Sequence, residues 1–398
     1  MSDKLSFDNY ERVKMKRILI ASRWYAPIKN PRAFRTYELL VEFISRGYND
    51  TAFLPEDAQI QEHAYHMAVP YGNMGSSVAR VKATKDTWQA RGIQFVKRLF
   101  MFVLGDGPKN VRYSYALYKK LRNHLQQNND YNVILSISYP FYVNVALACL
   151  KRYINPATVL IADCGDPFYA NPSFKKAFYL KYLEKWVLNQ FDYVTIPIEA
   201  VRSNYLEYLP PEKIKVIPQG FKLMDIPDSA YQKNAVPTFG YAGVFYESIR
   251  NPRFFFEYLL TLKQDFCFVV YAIADAFTAG LLAEYKEKLG DKLEIREAVD
   301  REVLIPEMAT WDFVINFDND NSNQRPSKLI DYAMSKRPIL SFNQATFKSE
   351  VFAAFMQGDY NGQEHIDLSQ YDIRTVVDKF EELFNKPEKR GAVVNEIG

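Results

Sequence analysis

Residues 324–340 read QRPSKLIDYAMSKRPIL. A polar run ends in Pro326 and Ser327, an apolar helical pattern begins at Lys328, and a strand-like PIL follows Arg337. FVINFD, from Phe313, stands just upstream, so the segment reads strand, polar loop, helix, strand: one crossover of a parallel sheet. A helix starting near Ser327 turns unpaired N–H groups and the positive end of its dipole outward, where a phosphate oxygen can sit. Ser327 adds a hydroxyl and Lys328 a full positive charge. Asp331, four residues after Ser327 and three after Lys328, shares roughly their face; a carboxylate there suits the two hydroxyls of a ribose. The plainer alternative makes Pro326 a first-turn residue, Ser327 a cap, and Lys328 with Asp331 a solvated pair.

The same alternation runs along the whole chain. In the first half RILIAS (from Arg17), TAFL (Thr51), VILSIS (Val133), TVLIAD (Thr158), YVTIPI (Tyr193) and IKVIPQG (Ile214) read as strands. Between them lie helical patterns such as 32–46, with Phe34, Tyr37, Leu40, Val41 and Ile44 on one face and Gly47 as its stop. The polar, proline-bearing residues 221–236 interrupt the pattern, which restarts with FGYAGVF, FCFVVYAIA, LEIREAV, FVINFD and PILSF. This predicts an α/β protein of two Rossmann-like, doubly wound parallel-sheet domains facing a central cleft: 1–220, a linker at 221–236, and 237–398, the last helix packing back on the first domain. Ligands of such sheets bind beyond the carboxyl ends of the strands, here the loops after Ile20, Asp163, Gly220, Gly243 and Asp318.

Those loops hold the remaining candidates. YAGVFYESIRNP puts Gly243 at a strand end and Arg250 with Asn251 just before the next helix; glycine admits close backbone approach and arginine can fork onto a phosphate. With Lys328, Arg250 would clamp a departing diphosphate. IADCGDPF places Asp163 and Asp166 after a first-domain strand, where Asp166 can accept a hydrogen bond from an acceptor hydroxyl or act as a base; a turn or helix cap explains it equally well. Tyr25, Arg32 and Arg35 are further acceptor or phosphate contacts.

Composition narrows the classes. The chain has 398 residues, 48% of them hydrophobic, and a net charge of only +3, so its overall balance gives no reason to expect nucleic-acid wrapping. Charge is uneven, however: residues 80–125 carry eleven Lys or Arg against Asp86 and Asp106, interleaved with Trp88, Phe95, Leu99, Phe100, Met101, Phe102 and Val103. That pattern suits an anionic lipid surface, or a solvated helix whose aromatics face a core; no RNA-recognition module accompanies it. Cys149, Cys164 and Cys267 are odd in number and widely spaced, as in a reduced cytoplasmic protein. The first residues lack the apolar core of an export signal, and no run reaches membrane-span length, so membrane contact is expected to be peripheral. His63, His66, His124 and His365 are scattered, and no metal site is expected.

RPSKLIDYAMSKRPIL, FGYAGVFYESIRNP, IKVIPQGF and RILIASRWYAPIKNPRAFRTYELLVEFISRGY together resemble the GT-B glycosyltransferases of family four, which use nucleotide sugars and retain configuration. The likeness covers most of residues 15–345 and is weakest from about 56 to 130. It implies a nucleoside-diphosphate-sugar donor, UDP favoured, held by Gly243, Arg250, Asn251, Asn323, Ser327, Lys328 and Asp331. Arg35 stands at the family's helix arginine. The acceptor would be a glycan or lipid-linked, and neither metal nor cofactor is implied. The family often brackets this helix start with two glutamates eight positions apart; here the pair is Asn323 and Asp331. IADCGDPF is similar to its Asp-X-Arg-Asp-X-Trp segment, with Gly165 in place of the arginine and Phe168 in place of the tryptophan. A nucleotide-sugar epimerase of the same build, a two-lobed sugar-binding protein and a partner-binding pseudoenzyme are the competing functions.

Overall fold

Ile18, Leu19, Ile20 and Ala21 have no exposed surface, and Val133–Ser138 and Val159–Cys164 are buried throughout. A parallel strand is covered by helices on both faces, so its sequence is an unbroken apolar run rather than an alternating one. In the computed structural model, which describes residues 16–28, 30–60, 65–70, 98–171, 176–247, 250–272, 275–318 and 328–386, these runs build two parallel sheets.

The first sheet contains β1 (Arg17–Ser22), β2 (Asn49–Pro55), β3 (Tyr65–Val69), β4 (Val133–Ser138), β5 (Val159–Cys164), β6 (Tyr193–Ile196) and β7 (Ile214–Val216), in the order β3-β2-β1-β4-β5-β6-β7. The second contains β8 (Thr238–Gly243), β9 (Cys267–Ala272), β10 (Leu293–Glu297), β11 (Phe313–Phe317) and β12 (Ile339–Phe342), in the order β10-β9-β8-β11-β12. Strand order reverses between β1 and β4 and between β8 and β11, which opens a crevice at the carboxyl ends of those pairs. Sequence reading did not mark β3: it is an edge strand with an exposed Tyr65 and only Val69 fully buried, so the apolar signal is weak.

Around the first sheet lie α1 (Pro31–Ser45), α2 (98–104), α3 (Pro108–Gln127), α4 (Tyr142–Cys149), α5 (Tyr179–Asn189) and α6 (Ser203–Leu206). Around the second lie α7 (Arg253–Leu260), α8 (Ala276–Leu289), α9 (Arg301–Met308), α10 (Lys328–Met334) and α11 (Ser349–Gln357). Asn30 caps α1, its side-chain oxygen accepting the Ala33 N–H at 2.8 Å, and Pro31 opens the helix. Gly47, at φ +80°, ends it in a conformation that costs glycine nothing.

The chain divides into two units, Leu223–Tyr371 and the remainder. In the second unit Asp312 ties down the entering chain, accepting from Tyr231 Oη and from the N–H of Thr238, each at 2.7 Å. The last helix, α12 (Ile373–Glu381), belongs to the first unit: Ile373, Val376, Val377 and Phe380 share a core with Leu39, Leu40 and Phe43 of α1. Arg46 then bridges to Asp378 at 2.6 Å and Glu381 at 3.0 Å.

Candidate active site

In the second unit two cations meet the carboxyl end of β8. Lys328, first residue of α10, donates its Nζ to the Ala242 carbonyl at 2.8 Å, and Tyr332 one turn later donates its hydroxyl to the same oxygen at 2.8 Å. Arg250 reaches back along the loop after Gly243, its Nη1 3.5 Å from both the Val244 carbonyl and Tyr241 Oη. The two positive charges are close enough to feel each other: burial lowers the Lys328 pKa, Asp331 opposes that, and Arg250 lowers it further. Gly243 leaves no room for a side chain, since a Cβ there would run into Tyr241 Oη. A lysine kept buried beside an arginine is a place that an anion relieves.

A cavity of about 390 Å³ opens beside this strand end, lined by Arg250, Asn251, Phe254, Asp318 and Asn343 among others. Its lining comes from the loop after β8, the start of α7 and the carboxyl ends of β11 and β12, Glu247 and Glu257 included, on the side where a strand reversal puts ligands. Asp331 is not left to pair with Lys328 alone. Its Oδ1 accepts from Arg301 Nε at 2.7 Å, and burial raises its pKa while Arg301 pulls it down. Arg301, at the start of α9, was not singled out from the sequence; its only signal was a position just after a strand and the acid Asp300. Ser327 and Asn323 lie outside the described residues.

In the first unit the expected residues separate into two groups. Arg35 is 2% exposed and spends its guanidinium on Asp163 (Nη2–Oδ1 2.8 Å, Nε–Oδ2 3.1 Å), on the Ile217 carbonyl at 3.3 Å and on the Pro218 carbonyl. Asp163 also accepts from Thr195 Oγ1 at 2.7 Å, and its pKa stays below the usual carboxylate range because Arg35 and Arg32 outweigh its burial. Tyr25 is packed into the core against Tyr37, and burial pushes its phenol well up. Arg35, Asp163 and Tyr25 therefore offer no surface to an acceptor, and that expectation is corrected for these three: Arg35 with Asp163 pins α1, β5 and the chain after β7 together, and Tyr25 packs in the core.

Arg32 is largely buried but still reaches solvent. Arg32 Nη1 lies 3.2 Å from Asp163 Oδ2 and 3.3 Å from the Ser138 carbonyl, at the ends of β4 and β5, and Asp166 is exposed nearby. Burial lowers the Arg32 pKa, while Asp163 chiefly and Asp166 also raise it. A Cβ on Gly165 would sit 2.6 Å from the Arg32 guanidinium carbon, so any side chain there would push that guanidinium aside. Cys164 is no nucleophile: burial pushes its thiol up to about 12. Among the described residues no three His, Cys, Asp or Glu gather into a metal site, and no helix is long and apolar enough to cross a membrane. Residues 80–97 of the basic stretch, with Trp88 and Phe95, and also His63, lie outside the described residues.

The architecture is that of the GT-B glycosyltransferases. HepE of Anabaena with UDP-glucose matches at 12% identity over 92% of this chain and 98% of its own, with a TM-score of 0.54. A glycosyltransferase from Rickettsia africae matches at 11% over 93% and 98%, with a TM-score of 0.58. A point mutant of TarM from S. aureus, in complex with Fondaparinux, alpha-GlcNAc-glycerol and UDP, matches at 11% over 93% and 100%, with a TM-score of 0.56. At such identities the likeness speaks of fold alone. No curated protein matches the chain by sequence. The family model described as Glycosyltransferase Family 4 matches residues 35–223, just under half of the chain. Residues 35–223 are thus similar to family-four glycosyltransferases, and the chain as a whole has the GT-B fold.

Proposed function

We propose that the protein moves a sugar from a nucleoside-diphosphate sugar, UDP favoured, to a glycan or lipid-linked acceptor, with retention, in surface-polysaccharide assembly on the cytoplasmic side of a membrane. The observation that carries this reading is the convergence of Arg250 and Lys328 on the end of β8. Two cations there would neutralise a diphosphate as it departs, which is where the largest electrostatic gain of such a transfer lies. Gly243 lets the backbone approach the phosphates, and Asn251, Ser327 and Asn323 complete the donor contacts. Asp331, steadied by Arg301, would accept the ribose hydroxyls. Support for UDP comes from the complexes of HepE with UDP-glucose and of the TarM mutant with UDP.

In the reaction the bond from the anomeric carbon to the diphosphate oxygen breaks. The acceptor oxygen bonds to the same face, and its proton passes to the leaving phosphate oxygen. Arg32 and Asp166 are the acceptor side of the proposal, Asp166 accepting a hydrogen bond from the incoming hydroxyl. The basic residues within 80–125 would hold the protein near anionic lipid, where a lipid-linked acceptor resides. Thermal-shift measurement with UDP, GDP, ADP and TDP tests the donor site, since a ligand that binds only the folded state raises its melting temperature. One nucleotide should stabilise the wild type, and Arg250→Ala and Lys328→Ala should each remove most of that shift together with transfer. Full nucleotide affinity in both variants would end the assignment.

A further inference from the structure

We infer that the joined outer faces of α2 and α5 insert shallowly into an anionic bilayer, with Phe178, Tyr182 and Trp186 as the wedge. This rests on the reading above that the acceptor lies at a membrane, but its carrier is α5, outside the basic stretch. Phe178, Tyr182 and Trp186 recur every four residues, so they form one stripe, and they are 74%, 67% and 47% exposed. The opposite face, with Leu180, Val187 and Leu188, is buried in the first unit. Against α5 lies α2: the Phe102 carbonyl accepts the Ala177 N–H at 2.9 Å, and Tyr179 donates its hydroxyl to the Val103 carbonyl. α2 adds exposed Leu99, Phe102 and Val103 to the same neighbourhood. Apolar side chains in such number on adjoining helices mark an interaction surface rather than scattered exposure.

Charge identifies the occupant. The one acid of α5, Glu184, is turned inward, its two oxygens accepting the N–H groups of Phe168 and Tyr169 at 2.8 and 2.9 Å. The one acid between residues 98 and 127, Asp106, has no exposed surface and accepts from Tyr139 Oη at 2.8 Å. The charges these segments show outward are Arg98, Lys109, Arg112, Lys119, Arg122 and Lys185, with Lys181 paired to the exposed Glu207 of the neighbouring turn. Two copies joined about a two-fold axis would press this basic face on itself, so a second chain is disfavoured. Aromatic side chains with a polar edge, on helices whose own acids are buried and whose exposed charges are mostly cationic, match the headgroup level of an anionic membrane. α5 has 11 residues, far short of a span, so it lies in the interface plane.

The experiment is sedimentation of the full chain with vesicles of phosphatidylcholine alone or mixed with phosphatidylglycerol, with tryptophan emission read in parallel. The wild type should bind the mixed vesicles. Part of that binding should survive high salt, and lipids brominated in the acyl chain should quench its emission; Trp186→Phe should lose the quenching. A triple variant, Phe178→Ser, Tyr182→Ser and Trp186→Ser, should lose about tenfold or more in vesicle affinity from the removed apolar area, with UDP binding unchanged. Lys109→Gln with Arg112→Gln and Lys119→Gln should remove only the salt-sensitive part. Wild-type affinity in the triple variant overturns the inference, even where the charge variants fail to bind and the electrostatic reading survives. So does a concentration-dependent dimer that the triple variant abolishes.

Discussion

Lys328 is held where its charge is costly, a cost that the proposed diphosphate would offset. Burial lowers its pKa, Asp331 raises it and Arg250 lowers it again, while a bound diphosphate favours the protonated amine. Nucleotide affinity is then greatest below the free-state pKa of Lys328 and falls as pH rises through it. Calorimetric titration of UDP over alkaline pH should show that limb. Lys328→Arg, charged throughout, should flatten it, and an unchanged limb in that variant would place the titrating group elsewhere. On the proposed acceptor side, Gly165 and Arg32 are one spatial choice: the space a side chain at 165 would take is filled by the Arg32 guanidinium, 2.6 Å from the position of such a Cβ. Gly165→Ala should displace Arg32 and raise the acceptor KM about tenfold, roughly 1.4 kcal/mol, with UDP affinity unchanged. Resemblance alone shows a missing arginine at 165; the fold shows the guanidinium of Arg32, from α1, against that position.

Among the elements, β2 contains an acid in an apolar strand. Asp50 is 3% exposed, neither of its oxygens has a hydrogen-bond partner among the described residues, and burial raises its pKa to about 8. A folded-state pKa above the unfolded one means stability is intact at low pH and declines as pH rises from the unfolded pKa towards 8. Asp50→Asn should therefore raise the free energy of unfolding most near pH 8, by on the order of 2 kcal/mol, and leave it unchanged near pH 4, as read by thermal or denaturant melts. Equal gains at both pH values would show that the carboxyl is ionised in place. The element bounds themselves were largely legible: β4 is VILSIS as read, and α1 ends before Gly47. β3 was not, because an edge strand half open to water carries little of the apolar pattern that marks its neighbours.

At the scale of the molecule, the chain leaves its first unit at Lys222 and returns to it at Asp372. α12 covers Phe43 and the Arg35 guanidinium, which stands 5.2 Å from the Phe380 ring centre, so the end of the chain completes a core begun by its first helix. Truncation after Tyr371 should expose that core and yield an aggregating or protease-sensitive first unit, while Arg46→Ala, which loses only partly exposed ion pairs, should cost about 1 kcal/mol or less. Limited proteolysis and thermal melts separate these outcomes; a soluble, cooperatively melting truncation would remove α12 from the core's essential parts.

By itself the sequence determined every strand but β3, their alternation with helices into two parallel α/β units and the presence of Arg250 and Lys328 beside strand ends. Hydrophobic period and turn chemistry are local, and a parallel sheet writes them plainly. Only the tertiary structure decided which polar residues are already spent. Arg35 and Asp163 look like site residues in the chain and are a buried ion pair in the fold, and Asp331 stands beside Lys328 in sequence but is gripped by Arg301 from another helix. The reason is that a charge is assigned by its nearest opposite charge and by its distance from water, and for these two pairs the partner stands 128 and 30 positions away along the chain.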